Sequence, residues 1–398
     1  MIRLTPRGLG LATAGVVLLI GAGTTGLLGL AWPGGLLLGL VGTACGVALI
    51  STRRPRARRR LVPDRVPAGS PVRAALDLDR GSAGLGGWGV VEEAVPEGLG
   101  EAPALPVLTG WGRLRSQYSY QLATSVRGRY RIGPILWTTV DPLGLASTRH
   151  QLAERTLLTV TPAVLPLSRA AHGAGTGLVG EAAERRSSVI GPDDALIREY
   201  RPRDELRRIH WPSTARTGTL MVRREEHAWE PSALILLDNR AKSQVGHGPR
   251  SSYEWAVSAA ASIAVHLLDA GYDVTLAEAG GRQLAAAGET GREAVLDQLT
   301  DSTLTTSGDL GAALRARAGT RAQLVIAIVG RLSRTDALAL TTARPHPAPC
   351  RAIVLQPPAP EAADPAEILI ADGWRVVADA RRLSVGRAWD LLDEAPGR

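Results

Sequence analysis

Glu199 and Asp204 stand among Arg198, Arg207, Arg208 and Arg216, with Tyr200, His210, Trp211 and Ser213 interleaved. Guanidinium groups donate paired hydrogen bonds that match carboxylates, and they stack on aromatic faces. The composition therefore predicts a fixed polar network, with both carboxylates paired to arginines and Trp211 buried beneath them. A second chemistry is open to the same segment. His210 could serve as a base for Ser213, making the 198–216 cluster the centre of a hydrolase. A lone His beside a Trp is more often packed or hydrogen-bonded than catalytic, so the network is the leading reading. Farther on, the apolar run at 233–237 ends in Asp238, followed by Arg240 and Lys242.

These groups need elements to hold them. A chain of 398 residues is too long for one ordinary core and predicts two or three folded units. Its apolar share of 45% excludes wholesale disorder. Cys45 and Cys350 have neither the number nor the spacing for a disulfide framework or a zinc site. The net charge of +8 suggests nucleic acid, but the charge is concentrated at one place. Residues 8–52 carry no charged side chain, long enough for two membrane spans of about 20 residues each. Trp32-Pro33-Gly34-Gly35 supplies turn chemistry near the middle, predicting helices at 9–30 and 35–51. A cleaved signal peptide fits less well, because the apolar region is too long and no small-residue cleavage site follows.

Arg3 and Arg7 precede the first span; Arg53, Arg54, Arg56, Arg58, Arg59 and Arg60 follow the second. Positive flanks stay in the cytoplasm, so a two-span cell-membrane protein with both termini cytoplasmic is expected. The run Arg53–Arg60 has the composition to touch anionic lipid headgroups, or to act as a plain stop-transfer flank.

Residues 1–60 are thus expected to form the transmembrane hairpin and its basic flank. Residues 61–167 carry short strand-like runs between Gly and Pro breaks, predicting an antiparallel β-sandwich. A linker and the arginine-rich segment fill 168–231. From 232 to 398, apolar runs at 234–238, 274–278, 324–329, 352–355 and 375–378 alternate with helical segments. That alternation predicts a doubly wound α/β domain with a parallel sheet. Its clearest helix is 252–269, opened by the capping pattern Ser251-x-x-Glu254. Asp238 then lies at the carboxyl edge, where such sheets bind ligands.

The order Arg198-Glu199-Tyr200, Asp204, Arg207, Ile209-x-Trp211 and Thr214-Ala215-Arg216 resembles the bacterial family called domain of unknown function 58. Arg203 stands where that family usually has Gly. The runs Arg127-Gly128-Arg129-Tyr130-Arg131-Ile132-Gly133-Pro134 and Asp141-Pro142-Leu143-Gly144-Leu145 are similar to the same family. As residues, they read as turns that set the register of two strands. The resemblance implies a von Willebrand factor A-like C-terminal domain. Such domains often bind Mg²⁺ through Asp-x-Ser-x-Ser, a distant Thr and a later Asp. Here Asp238 is kept, Arg240 and Lys242 fill the hydroxyl positions, and Thr305 or Thr306 matches the Thr. Val329-Gly330-Arg331 lacks the later Asp. A degenerate, metal-free site is expected, with Arg240 or Lys242 neutralising Asp238.

Gly-x-Ser-x-Gly, His-Glu-x-x-His and Walker motifs are absent from the sequence, and acids interleave the only basic, aromatic stretch. The expected protein is a scaffold without cofactor, catalysis or nucleic acid. The resemblance also implies a MoxR-type AAA+ ATPase partner and a role in assembling or maturing other proteins, with other membrane-associated proteins among its contacts.

Overall fold

The computed structural model describes residues 2–50, 56–80, 87–101, 104–109, 114–168, 197–200, 209, 211–223, 231–316, 324–345, 348–357 and 364–394. The chain divides into two units, Met1–Thr161 and Pro162–Arg398.

In the first unit, a short strand β1 (Ile2–Leu4) leads into helix α1 (Pro6–Thr25), and α2 (Ala31–Ile50) follows. Both helices are long and apolar enough to cross a membrane. The break falls earlier than Trp32-Pro33-Gly34-Gly35. Gly26, at φ 70°, caps α1 in the left-handed conformation, and a 3₁₀ turn at Leu28–Leu30 joins the helices. Pro33 lies in the first turn of α2, where a missing backbone N–H costs nothing. A proline there reads as a turn in sequence but is compatible with a helix start.

Among the described residues, ten strands follow: β2 (Arg56–Val62), β3 (Arg65–Pro67), β4 (Val72–Arg80), β5 (Gly87–Glu93), β6 (Leu105–Thr109), β7 (Leu114–Leu122), β8 (Gly128–Ile132), β9 (Ile135–Val140), β10 (Ala146–Ala153) and β11 (Thr156–Thr161). They form sheets ordered β1-β10-β9-β5-β6, β2-β4-β7 and β3-β11-β8. Pairing is antiparallel except between β3 and β11. Val72, Ala74, Leu76 and Leu78 alternate onto one buried face of β4, as a period of two requires. Val72 and Ala74 pack with Ile132, Leu158 and Val160, while Leu76 and Leu78 pack with Val91, Ile135 and Trp137.

The arginine run that flanks the second helix is itself a strand from Arg56 onward, where β2 begins. Arg56 faces Asp79 and Arg58 faces Asp77 in the β2–β4 register, so opposite charges meet across the exposed face. Arg59 points the other way. Its side chain is 2% exposed and forms a close ion pair with Glu93, itself 3% exposed. It also donates to the Ile132 carbonyl at 2.8 Å and to Thr156 Oγ1 at 3.0 Å. Arg59 is therefore removed from the residues expected at lipid headgroups, because alternation turns it inward between the sheets. Arg53 and Arg54 lie outside the described residues.

The second unit holds a small ladder and a large sheet. β12 (Ile197–Glu199) pairs antiparallel with β13 (Met221–Arg223), and helix α3 (Trp211–Thr217) lies between them in sequence. Then come β14 (Ser232–Leu237), α4 (Ser252–Asp269), β15 (Asp273–Glu278), β16 (Gln283–Ala286), α5 (Gly288–Thr300), α6 (Leu310–Arg315), β17 (Leu324–Val329), α7 (Arg334–Thr342), β18 (Cys350–Val354), α8 (Pro365–Ala371), β19 (Arg375–Val377) and α9 (Val385–Glu394). The sheet order is β16-β15-β14-β17-β18-β19, parallel apart from β16. The five expected strands and the 252–269 helix are all present; the antiparallel edge β16 is additional. Ser251 accepts from the Glu254 N–H at 3.2 Å, the N-cap half of the expected capping box, while the Ser251 N–H is taken by the Gly248 carbonyl.

Central β14 is apolar on both sides because both are covered. Ile235 and Leu237 face α4, α5 and α9, whereas Leu234 and Leu236 face α6, α7 and α8. Each such burial contributes about 1.5–3 kcal/mol.

Candidate functional site

Strand order reverses between β14 and β17, so their carboxyl ends frame the crevice where open α/β sheets take ligands. Asp238 follows β14 directly, held by its N–H to the Ile328 carbonyl at 2.9 Å, and its side chain is fully buried. Arg240 returns onto it. Nε donates to Asp238 Oδ1 at 2.8 Å and Nη2 to Oδ2 at 3.1 Å, a two-pronged pair. Nη1 donates to Asp336 Oδ1 at 2.6 Å. One guanidinium, 2% exposed, thus bridges two carboxylates.

Asp336 is fixed from its own side. It is the third residue of a capping box at the start of α7, where its Oδ2 accepts from Ser333 Oγ at 2.6 Å and its N–H donates back at 3.1 Å. The sequence has no Asp beside Gly330, and the second carboxylate arrives instead from the helix that follows. Lys242 is exposed and takes no part. Burial alone would lower the Arg240 pKa, but its hydrogen bonds and charge contacts with Asp238 and Asp336 outweigh that and raise it. Burial likewise acts to raise Asp336, yet Arg240 and Ser333 hold it below the ordinary carboxylate range.

The neighbouring loop is tied to the strand end by hydrogen bonds. Asn239 Nδ2 donates to Glu278 Oε2 at 3.0 Å and to the Thr303 carbonyl at 3.1 Å. Thr305 bridges the strand end through its backbone, donating to the Asn239 carbonyl and accepting from the Ala241 N–H, both at 2.8 Å. Thr306 is exposed. Gln244 Nε2 donates to the Asp238 carbonyl at 2.6 Å, and Ser252 Oγ at the start of α4 donates to Gln244 Oε1 at 2.6 Å. Gly330 must be glycine, because a Cβ there would strike the Ser243 carbonyl. A hard cation needs free carboxylate and hydroxyl oxygens, and both Asp238 oxygens already serve Arg240. Among the described residues, no three His, Cys, Asp or Glu gather as a metal set.

The arginine-rich segment is visible in part. The Tyr200 N–H donates to the Leu220 carbonyl at 2.8 Å, and Thr214 Oγ1 accepts from the Met221 N–H at 2.9 Å, tying α3 to β13. Val222 is buried here and forms a bridge with Ile209. Trp211 is 66% exposed, which corrects the expectation that it is buried under the arginines. It is the first residue of a seven-residue helix on which no residue is buried. Ser213 is half-buried and Arg216 exposed on the same helix. Only the backbone of Arg198 and Glu199 is described, and Asp204, Arg207, Arg208 and His210 lie outside the described residues.

Beyond the predicted positions, Asp336, Ser333, Asn239, Glu278 and Gln244 complete the β14–β17 site. The pattern Ser333-x-x-Asp336 before an apolar stretch is a capping signal that marks the helix start, though not its contact with Arg240.

Residues 196–340 match the family described as protein of unknown function DUF58. The DUF58 match runs from β12 through most of α7, so Asp238, Arg240 and Asp336 all fall inside it. The chain is also 25% identical over 243 residues to the uncharacterized protein YeaD of Bacillus subtilis (strain 168), covering 59% of this chain and 58% of that protein. It therefore spans less than two thirds of that relative's length. No solved structure matches.

The bridge has a pH signature. The Asp336 pKa is lower folded than unfolded, so its contribution to stability is complete above the unfolded value of about 3.9. That contribution disappears as pH falls through the folded value. Acid titration followed by circular dichroism is expected to show stability lost below about pH 4, with Asp336→Asn flattening that loss. An unchanged acid slope in the variant contradicts the bridge.

Proposed function

We propose that this chain is a membrane-anchored cytoplasmic scaffold for the assembly or maturation of other proteins, without catalysis of its own. The observation that carries the reading is the Asp238–Arg240–Asp336 bridge, which fills the crevice where an α/β enzyme of this strand order keeps its ligand. The α/β unit is read as von Willebrand A-like with a degenerate metal position, offering loop surface to a protein in place of a cation. The partner is taken to be a MoxR-type AAA+ ATPase, a reading that rests on the family resemblance.

Anchoring is read from α1 and α2 with their arginine flanks. β1 pairs antiparallel with β10, so the segment before the first span lies beside the sheet that follows the second. Two spans that return to one side satisfy that pairing, and the arginines assign the side to the cytoplasm. The placement is supported if a fluorescent protein at the C-terminus glows and a phosphatase there is inactive; an active phosphatase refutes it.

A pull-down from solubilised membranes, with ATP present and absent, tests the scaffold. Nucleotide-dependent recovery of an AAA+ ATPase is the expected result. Hydrolytic turnover by the purified chain, lost on replacing Ser213, would favour the hydrolase reading of 198–216 instead.

A further inference from the structure

Resting on that membrane-anchored reading, we infer that the Asp141–Leu145 turn of the sandwich is a lipid-contacting element that inserts Leu143 at the bilayer surface. The turn is built as a rigid mount. Asp141 is buried, and its Oδ1 accepts from the Leu143 N–H at 2.8 Å. Oδ2 accepts from the N–H groups of Leu145 at 2.7 Å and Ala146 at 2.5 Å. These bonds fix the backbone while leaving the Leu143 side chain outward, 53% exposed.

The mount is attached to both apolar helices. Thr5, the N-cap of α1, donates its N–H to the Leu145 carbonyl at 2.9 Å and its hydroxyl to the Gly144 carbonyl at 2.6 Å. Gly8 lies so close to the Leu145 carbonyl that any side chain there would collide with it. On the other flank, Leu145 and Ala146 pack with Val41, Ala44 and Ala48 of α2. Leu143 is therefore held at the level where α1 begins, the depth of the headgroup boundary if the helices span.

The surroundings match that boundary. Ile2, Leu4 and Leu9 are 37%, 40% and 57% exposed, and Arg3 and Arg7 are exposed between them. Apolar side chains interleaved with arginines suit a surface that is hydrocarbon below and anionic above. Continuity with the spans selects lipid as the occupant over a protein partner.

The test places a nitroxide on a single cysteine at position 143 in the full chain carrying Cys45→Ser and Cys350→Ala. The protein is reconstituted into vesicles of phosphatidylcholine and phosphatidylglycerol. Labels at Val17, within α1, and at exposed Asp64 in the β2–β3 turn are the references. The expected result is a ratio of oxygen to nickel-chelate collisions at 143 well above that at 64 and below that at 17. A water-like ratio at 143, with 17 still lipid-like, overturns the inserted turn and leaves the anchor standing. Low collision with both reagents at 143 also overturns it, since the residue is then packed against protein. Water-like behaviour at 17 refutes the anchor itself. Because Leu143 is largely exposed, its replacement leaves the fold intact, which circular dichroism verifies.

Discussion

Replacing Arg240 with alanine is expected to destabilise the α/β unit by about 3–5 kcal/mol, because two carboxylates are left buried or half-buried without their cation. For a unit of this size, each kcal/mol moves the melting temperature by roughly 2–4 °C, so a fall of about 10 °C is anticipated. Hydrogen exchange locates the effect: amides of β14 and β17 lose protection, while β4 and β8 in the other unit keep theirs. The penalty comes from stranded charge, not from the pair's intrinsic strength. Adding Asp238→Asn and Asp336→Asn to Arg240→Met is accordingly expected to recover a substantial part of the loss. If the single alanine variant melts with the parent, the bridge is not what holds the crevice closed.

The second large effect lies in the sandwich. Arg59 ties β2 to Glu93 on β5, to Ile132 on β8 and to Thr156 on β11, so one side chain joins three sheets. Arg59→Ala strands Glu93 and removes the donors to both other strands, with an expected cost of about 3–5 kcal/mol. Arg59→Lys is expected to rescue little, because an ammonium lacks the planar fork that reaches several acceptors at once. Exchange protection in β2, β4 and β8 reports the loss in detergent-solubilised chain. A variant of Arg56 or Arg58 is the control, since surface cross-strand pairs contribute only about 0.2–1 kcal/mol. Equal losses at 56 and 59 would contradict the buried role.

Features of this fold are legible in the sequence where their signals are local. The 252–269 helix was readable to the residue, because its cap and its apolar face are both local. Three of the five parallel strands are legible as unbroken apolar runs, at 233–237, 324–329 and 352–355, whereas β15 is interrupted by Thr275 and β19 opens on Arg375. The break between the two apolar helices is not legible, since Pro33 carries one signature for both a turn and a helix start, and Gly26 makes the cap. The Asp141 turn is legible in Asp-Pro-Leu-Gly-Leu, but its bonds to Thr5 are not, as nothing near either residue announces the other.

The sequence by itself determined the periodic elements, the uncharged 8–52 stretch and the position of Asp238 at a strand end. Those features are written within a few residues of one another, where burial period and capping chemistry act. Tertiary structure alone decided which cation answers Asp238. Arg240 and Lys242 are equally near in sequence, and the choice rests on Asp336, 96 residues from Arg240, being brought opposite by the β17–α7 crossover. The same holds for Arg59, an ordinary member of an arginine run until the pleat turns it inward. Charge pairing inside a protein depends on which groups the fold desolvates together, and a linear pattern does not contain that distance.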